Sequence, residues 1–135
     1  MVGGGTNKLI EKTKESLNVG ISKVKAGTRI GDIGFVIQSF LENESFGVVQ
    51  ELVGHGVGNA VHEDPEIPNW GRSGTGPELV EGMVIAIEPM ATEGSSKVKL
   101  LLDGWTWVTA DGSRAAHFEH TLVVTQNGAE ILTRI

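Results

Sequence analysis

Residues 83–90 read Met83-Val84-Ile85-Ala86-Ile87-Glu88-Pro89-Met90, an apolar run that ends in a glutamate and a proline. Such a run predicts a buried strand over residues 84–87. The carboxylate at its end is therefore expected to be buried as well. A buried charge must be paired, protonated or bound to a cation, so Glu88 requires a partner.

A second apolar run, residues 115–124, contains Glu119 and poses the same problem. Strand alternation puts Glu119 on one face with His117 and Thr121. If the two strands are neighbours, the two carboxylates face each other with Cβ atoms about 4.5–5.5 Å apart. Such a pair repels unless a positive charge lies between them. A divalent metal would supply it, whereas Arg114 lies only at the edge of the run.

A third metal ligand is expected from the segment of residues 54–65, which contains His55 and His62. His55 lies between two glycines, so its ring can approach an ion without hindrance from neighbouring side chains. A neutral imidazole together with carboxylates suits manganese, iron, cobalt or zinc. The alternatives are hydrogen-bonding turn histidines and salt-bridged or edge-exposed glutamates, and composition does not decide between these and a metal site.

Two helices are predicted before these strands. The first runs from Thr6 to Lys25, and the second opens at Thr28, whose hydroxyl is expected to cap it, and ends at Asn43. Gly31 and Gly34 weaken the second helix and predict close packing against another element. The apolar faces comprise Leu9, Ile10, Leu17, Ile21 and Val24 in the first helix and Ile30, Ile33, Ile37, Phe40 and Leu41 in the second.

After residue 45 the pattern favours strands, beginning with Phe46 to Gln50. Asp103-Gly104, Asp111-Gly112 and Asn127-Gly128 predict tight hairpin turns with positive φ angles. The stretch from Gly54 to Gly82 is predicted to be a long functional loop. Helices followed by strands indicate one α+β domain, residues 1–135, with a mostly antiparallel sheet.

Composition excludes several classes of function. The chain has 135 residues and a net charge of −6, which argues against nucleic-acid binding and against a polybasic membrane patch. It has no cysteine, so any metal must be held by His, Asp or Glu. There is no apolar run long enough to span a membrane and no secretory signal pattern, so a cytoplasmic protein is expected.

Several motifs, taken in order, resemble the type I methionine aminopeptidases, which have the pita-bread fold. The motifs are Gly54-His55-Gly56-Val57-Gly58, His62-Glu63-Asp64-Pro65, Ile67-Pro68-Asn69, Glu81-Gly82-Met83-Val84, Ile87-Glu88-Pro89-Met90, Asp103-Gly104-Trp105-Thr106, Phe118-Glu119-His120-Thr121 and Val124-Thr125. The elements around His55, His62 and Glu88 are shared with proline-specific peptidases and creatinase. The remaining elements favour the methionine enzymes, and together they cover nearly the whole chain.

The resemblance implies removal of an N-terminal methionine by metal-activated water. His55, Glu88 and Glu119 match family metal ligands, and Glu119 falls in the position that bridges two metals. Glu88 also matches the ligand that handles the proton of the attacking water. The implied cofactors are two divalent ions in the complete family site.

Three further residues are implied to contact substrate. His62 matches a catalytic histidine that touches the substrate rather than the metal. Trp105, whose alternative is a packing aromatic, matches a residue near the pocket for the methionine side chain. Asn69 falls where some family members carry a further histidine, so substrate contacts are expected to differ there.

The family domain consists of two pseudo-symmetric halves, and its first half supplies two aspartate ligands and another histidine. The present sequence is expected to be a truncated, C-terminal half with three of five ligands, because Asp32, Asp64, Asp103 and Asp111 lie in a helix start, a loop and turns. Weak metal binding and little activity alone are expected. A complementary N-terminal half or a twofold homodimer is the expected partner, and the alternative is a non-enzymatic binding module.

Overall fold

A computed structural model describes residues 4–58 and 63–133. Two helices come first and short strands follow, in the order that the sequence predicts. The helices are α1 (Gly4–Ile21) and α2 (Ile30–Asn43). The strands are β1 (Gly47–Val48), β2 (Gly54–Val57), β3 (Glu63–Ile67), β4 (Val84–Ile87), β5 (Met90–Thr92), β6 (Val98–Leu100), β7 (Trp107–Thr109), β8 (Ala115–His117), β9 (His120–Val124) and β10 (Ala129–Ile131).

The strands form three antiparallel sheets, which confirms the predicted α+β class. A five-stranded sheet has the order β10-β9-β4-β2-β3, a three-stranded sheet the order β1-β5-β8, and β6 pairs with β7. Apolar residues of the helices and of β4 and β9 share one buried core. Among the described helices, none combines the length and the apolar character needed to cross a bilayer.

The helices bury one stripe each, and three expectations about them are wrong. The first helix ends at Ile21 and not at Lys25. Ile10 is 44% exposed, because only the stripe that contains Leu9 and Leu17 faces the core. Thr28 does not cap α2: its hydroxyl donates to the Lys23 carbonyl at 2.8 Å. The cap position belongs to Arg29, whose backbone N–H donates to the Asp32 carboxylate at 3.0 Å.

The glycines of α2 let the segment of residues 68–75 lie against the helix, as their positions predict. A Cβ at Gly34 would lie 2.2 Å from the Trp70 carbonyl oxygen and 3.0 Å from that of Pro68. A Cβ at Gly31 would lie 2.3 Å from the Arg72 carbonyl oxygen. This contact holds residues 68–70 against α2, and Asn69 within them contacts the backbone of Glu88 at the end of β4.

Two long segments, residues 84–92 and 115–123, pair in one continuous register although each is broken into two strands. Ile87 pairs with His120 on one side of the break, and Met90 pairs with His117 on the other. Between them the Phe118 N–H donates to the Pro89 carbonyl at 3.2 Å. Proline has no N–H to complete the ladder at this point. The register therefore sets Glu88 directly opposite Glu119.

The predicted loop from Gly54 to Gly82 is wrong in its first part, which forms the hairpin of β2 and β3. Glycine allows this because β2 runs very close to β4: a Cβ at Gly54 would lie 2.2 Å from the Ala86 carbonyl oxygen. The predicted strand of residues 46–50 is shorter than expected, since only Gly47–Val48 is a strand.

The three predicted turns have different outcomes. Asp103-Gly104 joins the paired strands β6 and β7, and Gly104 has a φ of +86°, as expected. Gly112 also has a positive φ, but the strand that follows, β8, pairs with β5 rather than returning along β7. Asn127-Gly128 connects the paired strands β9 and β10, yet neither residue has a positive φ.

Replacing Gly34 by Ala is expected to lower the free energy of unfolding by about 1–3 kcal/mol, because the new methyl group meets backbone atoms that cannot rotate away. Gly20→Ala is the matched control. There the nearest atom, 2.7 Å away, is the end of the Ile37 side chain, and alanine favours the helix. Urea unfolding of both variants tests this, and an equal or smaller loss for Gly34→Ala would contradict it.

Candidate metal centre

Three neighbouring strands each contribute one side chain to a common point on the sheet. His55 lies on β2, Glu88 follows β4 directly, and Glu119 directly precedes β9. His55 pairs with Ala86, so it lies on the same face of the sheet as Glu88, two residues further along. One ligand atom from each of the three residues lies within 4.8 Å of the others. The structure therefore brings together the three ligand residues predicted from the sequence.

His55 is oriented in the way that metal-binding histidines commonly are. Its Nδ1 lies 3.0 Å from the Gly56 carbonyl oxygen. Because a carbonyl oxygen only accepts, Nδ1 carries the proton in this contact. Nε2 faces the Glu88 Oε2 atom at 3.1 Å. When the ring is neutral with its proton on Nδ1, the Nε2 lone pair faces the carboxylate, which suits an ion bound by both.

Glu88 has a buried oxygen atom that fits a cation. Its side chain is 16% exposed. Within the described residues, Oε2 is buried and receives no hydrogen bond. A buried carboxylate oxygen in this situation is costly unless a positive charge compensates it. One imidazole and two carboxylates are also a donor set that divalent transition metals accept, so the residues present fit a metal ion.

The pKa values of the two opposed carboxylates are shifted in opposite directions. Burial and the charge of Glu88 raise the pKa of Glu119 above its ordinary value. Burial also acts to raise the pKa of Glu88, but hydrogen bonds from His117 and Glu119 and the nearby charge of His55 outweigh it, and the Glu88 pKa is lowered. Of the two carboxylates, Glu119 is therefore the one that takes up a proton first as the pH falls.

A cleft of about 510 Å³ opens beside this group of side chains. Five carboxylate residues and two histidines line it, together with the apolar segment Leu52-Val53. The charged and titratable lining residues are Glu51, His55, Glu63, Asp64, Glu66, Glu88 and His117. The excess of carboxylates makes this cleft suited to cations and to positively charged groups of a ligand.

The other predicted site residues have different positions. Asn69 is completely buried, and its Nδ2 donates to the Glu88 backbone carbonyl at 3.2 Å, so it holds the main chain of Glu88. Trp105 is 79% exposed and lies between β6 and β7. His62 lies outside the described residues. The predicted substrate contacts of Asn69, Trp105 and His62 therefore stay predictions.

Sequence reasoning did not include two residues that the structure brings to the site. His117 Nε2 lies 3.7 Å from Glu88 Oε1. Strand alternation predicts that His117 shares a face with Glu119, and this is the sequence feature that could have identified it. Hydrogen bonding to Glu88 raises the His117 pKa, against the effect of burial. Asp64 lies on β3 and lines the cleft, whereas the sequence predicted it in a loop.

The sequence pattern of metallopeptidase family M24 matches residues 1–126. Methionine aminopeptidase 1 from Bacillus subtilis (strain 168) is 54% identical over 128 residues, which are 95% of this chain and 52% of that protein. The methionine aminopeptidase of Clostridium perfringens is 55% identical over 128 residues, 95% of this chain and 51% of that protein. The chain spans about half the length of these relatives.

Solved structures also match this chain, and a methionine aminopeptidase is again among them. The crystal structure of methionine aminopeptidase from Thermotoga maritima matches with a TM-score of 0.97 at 50% identity, over 99% of this chain and 54% of that one. The prolidase from Pyrococcus horikoshii, at 22% identity, matches with a TM-score of 0.73 over 99% of this chain and 33% of that one, which shows the fold alone. The pita-bread fold predicted from the motifs is confirmed.

Replacing Glu119 by Gln is expected to stabilise the metal-free chain at neutral pH by about 0.2–1 kcal/mol, because it removes one of two opposed like charges. A carboxyl whose pKa is raised by folding costs stability as the pH rises above its ordinary, unfolded pKa, and the full cost is reached above the raised, folded pKa. The gain should therefore disappear below about pH 4, where Glu119 is protonated in both the folded and the unfolded chain.

The same variant should bind Mn²⁺ or Co²⁺ more weakly, since it loses a ligand oxygen. Urea unfolding in the presence of EDTA at both pH values, and calorimetric metal titration, measure the two effects. Glu130→Gln, on the exposed part of β10, is the control. A Glu119→Gln variant that is destabilised at pH 7 would contradict the opposed-charge interpretation.

Proposed function

The chain belongs to metallopeptidase family M24, and we propose that it carries the metal-binding part of a methionine aminopeptidase, which removes the N-terminal methionine of peptides or nascent proteins. The observation that carries this proposal is the convergence of ligand atoms from His55, Glu88 and Glu119 within 4.8 Å on neighbouring strands. The intact donor set supports an enzyme over a non-enzymatic binding module of the same fold.

The proposed chemistry is hydrolysis of the first peptide bond. Divalent ions, when bound, supply Lewis acidity that lowers the pKa of water and polarises the scissile carbonyl. His55 Nε2, Glu88 Oε2 and a Glu119 oxygen would hold them. Glu88 accepts the proton of the attacking water on its carboxylate and later returns it to the new amine. Manganese, iron, cobalt and zinc all fit this donor set.

The substrate would enter through the acidic cleft. Its carboxylates attract the free α-ammonium group of a peptide, which distinguishes a chain end from an internal peptide bond. In this proposal His62 contacts the substrate beside the scissile bond, Trp105 contacts the methionine side chain, and Asn69 acts on the substrate through the position of Glu88. The cytoplasmic location expected from the sequence stays a prediction.

We further propose that these residues form half of a pseudo-symmetric catalytic domain and need a partner surface for full activity. Of the four aspartates in the sequence, Asp64 lines the cleft, Asp32 caps α2, and the other two lie outside strands. Two carboxylates and one imidazole should bind metal weakly without further ligands. A complementary half, or a second copy in a twofold dimer, would complete the site.

The 135-residue chain with Mn²⁺ or Co²⁺ is expected to release little methionine from a Met-Ala peptide. Adding the half of the Bacillus subtilis enzyme that this chain does not match should raise the rate at least about 100-fold, because the missing ligands and the substrate position are supplied together. Released methionine is measured over time, with sedimentation equilibrium to detect dimers.

The matched control is Glu88→Gln, which keeps the size of the side chain but removes the carboxylate. It should stay inactive under every condition. Absence of methionine release with every metal, alone and with the complementary half, would reject the proposed activity. Equal release by the Glu88→Gln variant would assign the activity to other residues.

A further inference from the structure

The two oxygen atoms of Glu88 have different surroundings. Oε2 faces His55 Nε2 at 3.1 Å, which is the side where an ion would bind. Oε1 faces His117 Nε2 at 3.7 Å, within ion-pair distance. The carboxylate thus lies between two imidazoles, and only one of these belongs to the set of converging ligand atoms.

We propose that His117 is a positioning residue of the metal centre: its Nε2–H holds Glu88 Oε1 and so presents Oε2 to the ion that His55 binds. This inference rests on the proposed function of the same site. It requires a proton on His117 Nε2, which the charged ring supplies, as does the Nε2–H tautomer of the neutral ring.

The main chain of Glu88 is already fixed, which leaves the side-chain torsions as its remaining freedom. Asn69 holds its carbonyl at 3.2 Å, and the strand register holds it opposite Glu119. A glutamate side chain nevertheless has several rotamers, and confining it to one costs free energy. A contact at Oε1 reduces that cost before the metal arrives, which is how partners of metal ligands raise affinity.

His117 is suited to this task by its place on the sheet. It pairs with Met90, two positions beyond Glu88 on the facing segment, and lies two residues before Glu119 on its own segment. Strand alternation therefore puts the side chains of Glu88, His117 and Glu119 on one face of the sheet. The His117 side chain is 48% exposed, so it approaches Glu88 from the solvent side, while His55 approaches from the buried side, with 14% exposed.

The test compares His117→Ala with His117→Gln in the full chain. Glutamine can still donate a hydrogen bond to Glu88 Oε1, but it does not replace an imidazole ligand. His117→Ala is expected to weaken Co²⁺ binding about 10–100-fold, as loss of a ligand's hydrogen-bond partner typically does. His117→Gln should recover most of that loss. Calorimetry and the visible absorption spectrum of the Co²⁺ complex are the measurements.

His120→Ala is the matched control, since His120 lies on the opposite face of the same segment, where its Nδ1 contacts the Thr133 hydroxyl at 2.8 Å. It should bind Co²⁺ like the wild-type chain. Thermal unfolding of the metal-free variants separates a loss of fold from a loss of affinity.

Three other results of the Co²⁺ measurements would each contradict a specific part of the proposal. Equal Co²⁺ affinity of His117→Ala and the wild-type chain would reject the positioning role and leave the proposed function intact. A His117→Gln variant as weak as His117→Ala, with an altered Co²⁺ spectrum, would make His117 a ligand instead. A wild-type chain that binds neither Co²⁺ nor Mn²⁺ would reject the proposed function and this inference with it.

Discussion

Two carboxylates opposed across a sheet are the constraint on which this site depends. Glu88 and Glu119 are set opposite each other by a register that continues through the strand break on both segments. Like charges in such positions destabilise the sheet, and burial together with the neighbouring charge raises the pKa of Glu119 while that of Glu88 is lowered. In the proposed site, a divalent ion bound by both would remove the same repulsion, so the feature that costs stability would also create affinity.

The fold supports this arrangement from behind the sheet. Gly34 on α2 lets the segment of residues 68–70 approach the helix backbone closely. Asn69, buried within that segment, donates to the carbonyl of Glu88 at the point where the ladder is interrupted. The packing of α2 is thereby linked to the position of the Glu88 main chain through two contacts. A bulkier residue at Gly34 would displace residues 68–70 and, with them, the contact between Asn69 and Glu88.

Part of this could be predicted from the sequence, and the failures have physical causes. The apolar run ending at Glu88 and the alternation around Glu119 predicted two strands and the side chains that share a face with Glu119, because side-chain period is a local property. That the two strands are neighbours was only a condition of the metal-site prediction. The sequence predicts a loop where β2 and β3 pair, because glycines and Pro65 give no strand signal. Those residues are extended since β2 lies against β4, at a distance that only Gly54 permits. Threonine is a residue type that commonly caps helices, but the Thr28 hydroxyl donates to the Lys23 carbonyl instead.

The sequence by itself determined the α+β class, the strand runs that carry Glu88 and Glu119, and the kinds of side chain available to bind a cation. The tertiary structure decided that β8 pairs with β5, that Asn69 is buried behind Glu88, and that His117 lies beside Oε1. The reason is that propensity and periodicity act within a single segment. The pairing of residues 84–92 with residues 115–123 joins parts of the chain that are distant in sequence, and its register depends on how the whole core packs.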